Sequence, residues 1–117
     1  MKSKEIAEFS AKVLDNKKAS DIVIIDICAK SSFADYFVLA SGKSDRQMSS
    51  LCDEVEKSLA ERGQTVKNVE GRHSSGWILM DYGDVIVNIF TAEMRERYNL
   101  EKVWGDCEII SVGDRNA

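Results

Sequence analysis

The sequence predicts a mixed α/β domain of α+β type, a five-stranded sheet with helices packed against it in the order α-β-β-α-β-β-β-α. Three observations carry this. Short runs rich in Ile, Val and Phe at 22–27 and 34–41 are strand-like in length and composition. Apolar stripes at helical spacing run through 3–17 and 44–62. Two apolar runs flank Asp81-Tyr82-Gly83-Asp84, where glycine supplies the positive φ of a tight hairpin. Strands outnumber helices and sequential strands can pair, which favours a mixed sheet with helices laid on it.

Taken in order, 3–17 reads as a helix with Ser3 as its cap, Glu5 in the first turn, and Ile6, Phe9, Val13 and Leu14 on one face. The run 22–27 is a buried strand in which Asp26 is the one charge, read as a satisfied polar residue near a strand end. Lys30-Ser31-Ser32 turns the chain into a strand over 34–41, with Phe37 and Leu39 on one face and Tyr36 and Val38 on the other. Ser44-Asp45-Arg46-Gln47 is a capping box, and Met48, Leu51, Cys52, Val55 and Leu59 form the inward face of the helix it starts. Gly63 stops that helix. A short strand follows at 65–69, then a polar loop at 70–75, then the hairpin from Gly76 to Phe90. Thr91 caps a helix over 92–98, a second turn falls near 100–103, and the end from Val112 is expected to fray.

A chain of 117 residues with 44% hydrophobic and 31% charged content is one globular domain. No apolar run approaches the ~18 residues of a membrane helix. The start is amphipathic, and Glu5 and Glu8 argue against a transit peptide, which leaves a cytoplasmic protein or a mature chain without its leader. Cys28, Cys52 and Cys107 are far apart and odd in number, as reduced thiols would be. Residues 1–75 hold 12 acidic and 12 basic side chains, whereas 76–117 hold 8 acidic and 4 basic, so the net charge of −4 lies wholly in the C-terminal third. That balance lacks the footprint of a direct nucleic-acid binder; it either suits a basic protein partner or merely keeps the domain soluble.

Catalytic chemistry finds little to work with. The single histidine, His73, sits in a loop with no nearby cysteine or second histidine, so neither a triad nor a metal site is expected, and no cofactor is implied. Gly42, Lys43 and Ser44 between a strand and a helix form a phosphate-friendly layout. A P-loop needs a further glycine five residues before Gly42, where Phe37 stands. The three residues are read as a turn and a cap, with phosphate binding as the lesser reading.

The stretches Asp35-Tyr36-Phe37-Val38-Leu39-Ala40-Ser41-Gly42, Glu70-Gly71 and Trp77-Ile78-Leu79-Met80-Asp81-Tyr82-Gly83-Asp84-Val85-Ile86-Val87 have a characteristic order and spacing. Phe90 and Arg95 follow, then Tyr98-Asn99-Leu100-Glu101 and Trp104. Together they resemble the ribosomal silencing factor family, also called the Iojap family, over about residues 5–108, which implies a core of that extent. The usual histidine before Ile-Phe in the hairpin's second strand is Asn88 here, and the aromatic commonly found before Tyr98 is Arg97. The resemblance implies a nucleotidyltransferase-like fold without the catalytic acids, and a homodimer. It also implies binding to the large ribosomal subunit through ribosomal protein L14, so that joining of the small subunit is blocked and translation falls when nutrients are short.

The hairpin's first strand is where contact is expected. Trp77, Ile78, Met80, Asp81 and Tyr82 are the candidate partner-binding residues. Strand alternation puts Trp77, Leu79 and Asp81 on one face and Ile78, Met80 and Tyr82 on the other, and one of the two sets must enter the core. A Trp77 turned outward predicts that Trp77→Ala leaves the thermal midpoint within a few degrees. Two other readings compete. One is a Mg²⁺-dependent nucleotidyltransferase-like enzyme using Gly42, Ser44 and a carboxylate among Asp26, Asp35 and Glu70. The other is an adaptor dimer for a different basic protein.

Overall fold

The computed structural model describes residues 1–27, 29, 31–72 and 76–112. The amphipathic start folds as α1 (Ser3–Asn16), burying Ile6, Ala7, Ala11, Val13 and Leu14. Its cap differs from expectation. Lys2 holds the N-cap position, and its backbone N–H donates to Glu5 Oε1 at 2.9 Å. Ser3 is already helical, and its hydroxyl donates to Asp35 Oδ2 at 2.9 Å, which ties the helix start to a distant loop.

Strand β1 (Ser20–Asp26) pairs antiparallel with β2 (Tyr36–Gly42), and α2 (Asp45–Ala60) follows. The serine half of the capping box forms: Gln47 N–H donates to Ser44 Oγ at 3.1 Å. The Gln47 side chain reaches back one residue further than read, accepting from Lys43 N–H at 2.6 Å. All five residues of the expected inward face are buried. Gly63 takes φ +81° where the chain leaves the helix, a backbone shape that side-chain-bearing residues rarely adopt.

Strand β3 (Asn68–Glu70) is shorter and later than read. The hairpin of β4 (Trp77–Asp81) and β5 (Val85–Thr91) turns at Gly83, φ +91°, where Gly83 N–H donates to Asp81 Oδ1 at 2.7 Å. Helices α3 (Ala92–Tyr98) and α4 (Leu100–Val103) stand where Thr91 and the second turn placed them.

Among the described residues the sheet has six strands, not five, in the order β3-β4-β5-β2-β1-β6. The strand the sequence reading lacked is β6 (Glu108–Val112), antiparallel to β1. Its residues are mostly exposed, so no buried face marks it in the pattern. Backbone pairing to β1 makes it a strand and carries the sheet past the expected core limit of 108 to Val112. Among the described strands only β2 and β5 pair in parallel, and they lie at the centre, joined by a connection that includes α2. Cys28, Lys30 of the expected turn, His73 and the tail 113–117 expected to fray lie outside the described residues.

The sheet separates two apolar layers. On one side α1 and α2 cover Ile22, Ile24, Val38, Ala40, Ile78, Met80, Val87 and Ile89. On the other, Val23, Ile25, Phe37, Leu39, Ile86 and Phe90 are met by Met94, Leu100, Trp104 and Cys107 from α3, α4 and the chain beyond. Phe37 stacks edge-on against Trp104 at 5.7 Å. The α+β class and the assignment of faces in β2 agree with the sequence reading.

Candidate partner-binding face

Strand β4 divides its side chains cleanly. Ile78 is 2% exposed, Met80 0% and Tyr82 just past its end 9%, all in the layer beneath α1 and α2. Their place among the contact residues is therefore corrected. A flat partner cannot reach them without opening the domain, because a period-2 strand with α1 and α2 on one side commits that whole set to the core. Trp77, Leu79 and Asp81 share the opposite face and are each half-buried.

Trp77 is more deeply engaged than the sequence suggested. Its ring lies between Phe90 and Tyr98, with centroids 5.0 Å from each. Its Nε1–H donates to Asn88 Oδ1 at 3.0 Å. Asn88 is buried on β5, directly across from Leu79, and its amide also donates to the Ile86 carbonyl at 3.3 Å. So Trp77 supports the domain with two ring contacts and offers a partner only its remaining surface. The expected small effect of Trp77→Ala on the midpoint does not fit this packing. Asp81 is likewise partly spoken for, since it caps the turn at Gly83.

Beside this face lies a cleft of about 440 Å³, lined by Glu70, Gly71, Trp77, Leu79, Met94 and Tyr98. Of these only Trp77 belonged to the expected contact set. Leu79 was legible as a face-mate of Trp77 by alternation. Glu70 arrives by cross-strand pairing with Leu79, and Met94 and Tyr98 by the return of α3, neither of which one-dimensional spacing shows.

Arg95 fixes the far wall. It is 9% exposed, and its guanidinium donates to Glu101 Oε1 at 2.9 Å, Ser41 Oγ at 2.9 Å and the Asp21 carbonyl at 2.7 Å. Asp21 has φ +48° next to an irregularity in the β1–β2 register. That backbone cost is met where its carbonyl accepts from a buried cation. The clasp joins α3 and α4 to β1 and β2, and so positions Tyr98.

The alternative catalytic groups are not brought together. Asp26 pairs with Tyr36 at one end of β2, and Asp35 sits at that same end. Gly42 closes the other end, six residues on or about 20 Å at strand rise. Glu70 lies on β3, three strands from β2, about 14 Å at strand spacing. At the phosphate-friendly turn, the Lys43 and Gln47 amides that would face an anion already donate to Gln47 and Ser44 side chains. A Cβ at Gly42 would meet Met48 Cγ at 2.9 Å, so the glycine is needed for packing against the helix. The layout is that of a turn and a cap. Among the described residues, no group of three or more His, Cys, Asp or Glu side chains is placed to hold a metal ion.

Under α2 sits a second polar cluster. Burial, with Asp53 and Glu56 adding and Arg72 opposing, pushes the Cys52 thiol up to about 11. Burial first, then Glu56 and Cys52, raises the Tyr82 hydroxyl above its usual value. That hydroxyl is enclosed without a hydrogen-bond partner. Arg72 closes over α2 with contacts of 2.7 Å to Asp53 and 2.5 Å to Glu56.

Solved structures share this architecture. A crystal structure from Chromobacterium violaceum superposes with a TM-score of 0.86 at 32% identity, covering 90% of this chain and 88% of that one. One from Bacillus halodurans gives 0.78 at 32% identity, covering 95% and 99%. The chain is thus one of a class of small α+β proteins built on this sheet with its half-covered face. The family model described as ribosomal silencing factor during starvation matches residues 1–117, and the chain belongs to that family. A Bacillus subtilis relative named ribosomal silencing factor RsfS is 39% identical over 112 residues, spanning 96% of this chain and 95% of its own length. A mouse relative named mitochondrial assembly of ribosomal large subunit protein 1 is 30% identical, with 79% of this chain matched to 42% of it.

Proposed function

We propose that this protein represses translation by binding the large ribosomal subunit through ribosomal protein L14 and blocking association with the small subunit when nutrients are limiting. It acts in the cytoplasm, as a homodimer when free, and by occupancy rather than by bond chemistry. The observation that carries the reading is the outer face of β4. In a chain of the ribosomal silencing family, that strand turns Trp77, Leu79 and Asp81 to the side that α3 and α4 only partly cover. Half-buried aromatic and aliphatic side chains held rigid by neighbours are typical anchors for a protein partner. The surplus of acid in the C-terminal third suits a basic ribosomal protein.

A subunit-joining experiment tests this. Purified subunits are mixed with the protein in molar excess and resolved by sedimentation. The joined ribosome is expected to be depleted, and Leu79→Asp is expected to restore it while keeping the fold. Equal joining with and without the wild-type protein would remove the proposal. Sedimentation equilibrium of the free protein checks the dimer.

A further inference from the structure

The cleft beside β4 has a composition that the general docking reading does not use. Its walls are two rings, Trp77 and Tyr98, and two flexible apolar side chains, Leu79 and Met94. Among the described residues, its one charged lining residue is the carboxylate of Glu70, and no Lys or Arg lines it. Pairing fixes which way Glu70 faces. It stands directly across from Leu79, so both share the outer face, while Val69 and Met80 share the inner one. Asn68 Nδ2 donates to Glu70 Oε2 at 3.1 Å, which steadies the carboxylate and still leaves it acceptor capacity.

We propose that this cleft receives one long basic side chain, lysine or arginine, of the protein partner. The alkyl stem would lie along Leu79, Met94 and the edge of Trp77, the cationic head would meet the exposed ring surface of Tyr98, and Glu70 would neutralise it. Long basic side chains divide in this way, with an apolar stem and a charged tip. An aromatic wall attracts a cation over an equally sized neutral group. The proposal rests on the contact reading of the β4 face and goes further by stating what chemistry that face selects. A neutral apolar side chain would fill the same walls but would leave Glu70 without a counter-charge.

Small probes test the cleft without the ribosome. The isotopically labelled full chain is titrated with N-acetyl-lysine amide, N-acetyl-arginine amide and N-acetyl-norleucine amide, and the indole N–H signals are followed by NMR. A saturable shift of the Trp77 indole with either cationic probe is expected, with Trp104 unmoved. Glu70→Gln should weaken that binding about threefold, in line with a partly exposed ion pair. Norleucine amide binding as well as the cations, or no shift with any probe, overturns the proposal. In the complex, Glu70→Lys is expected to weaken capture of the large subunit more than Glu70→Gln. If Glu70→Lys binds as tightly as wild type while Leu79→Asp does not, the cleft is a neutral apolar contact and the proposal falls. If the cationic probes bind but wild type fails to hold the subunit, the ribosomal reading falls and the basic-side-chain receptor stands.

Discussion

The two faces of β4 are built to different standards. Beneath α1 and α2, Ile78 and Met80 are sealed into a layer shared with both helices and with alternate residues of neighbouring strands, among them Val87 and Ile89. On the opposite face, Trp77, Leu79 and Asp81 stay half-buried beside an open cleft, though each touches something that holds it in place. One strand thus joins a sealed surface to a half-open one. Rigidity on the first gives the second a defined shape, and residue parity along five positions assigns each side chain to one face or the other, with Trp77 serving both packing and surface.

That separation breaks most visibly at Met80. Met80→Ala removes a fully buried side chain and should cost about 2–4 kcal/mol, lowering the thermal midpoint by roughly 10 °C or more. Subunit binding by the fraction still folded should be unchanged. A shift of only a degree or two would mean that the inner face is not the sealed layer described. Trp77→Ala tests the border between the two faces. It removes two ring contacts and a hydrogen bond, so a loss of about 2 kcal/mol is expected, below that of a fully buried tryptophan. Large-subunit capture should fall with it, and Trp77→Phe should recover stability more fully than binding.

The smallest effect is expected at Tyr82. Its hydroxyl is enclosed without a partner, so Tyr82→Phe should be neutral or stabilising by up to about 1 kcal/mol at neutral pH. The same cluster sets an alkaline limit. Cys52 ionises near 9.0 when unfolded and about 11 when folded, so the unfolded chain loses its proton first. Stability is therefore complete below pH 9 and declines as pH rises towards 11. Tyr82, raised in the same direction, extends the decline to higher pH. Urea midpoints across this range should fall for wild type, and less steeply for Cys52→Ala. A flat profile in both would show that the thiol is not buried as described.

Much of the architecture was legible because period and punctuation agree. The face of α2 was readable from Met48, Leu51, Cys52, Val55 and Leu59, and the hairpin from Gly83 between two apolar runs. The bounds of α3 followed from Thr91. What was not legible depends on pairing across long separations. Strand β6 carries Ile109 and Ile110 on an exposed edge, and its few apolar residues have no face to report until β1 is beside it. At the site, alternation told which residues of β4 travel together but not which set α1 and α2 would cover. Ile78, Met80 and Tyr82 were grouped with Trp77 for want of that second layer. Glu70 and Tyr98 enter the cleft from positions that only the fold makes neighbours.

Arg95 also has a consequence in time. Its bonds to Ser41 and to the Asp21 carbonyl span 54 and 74 residues of chain. Contacts that close such long loops are costly in entropy until the intervening elements are in place. The clasp is therefore expected to form after the sheet has assembled, and to be among the first connections to part. Interactions absent from the folding transition state act on the rate of unfolding rather than of folding. In that sense Arg95 governs how long a folded molecule lasts more than how fast one is made.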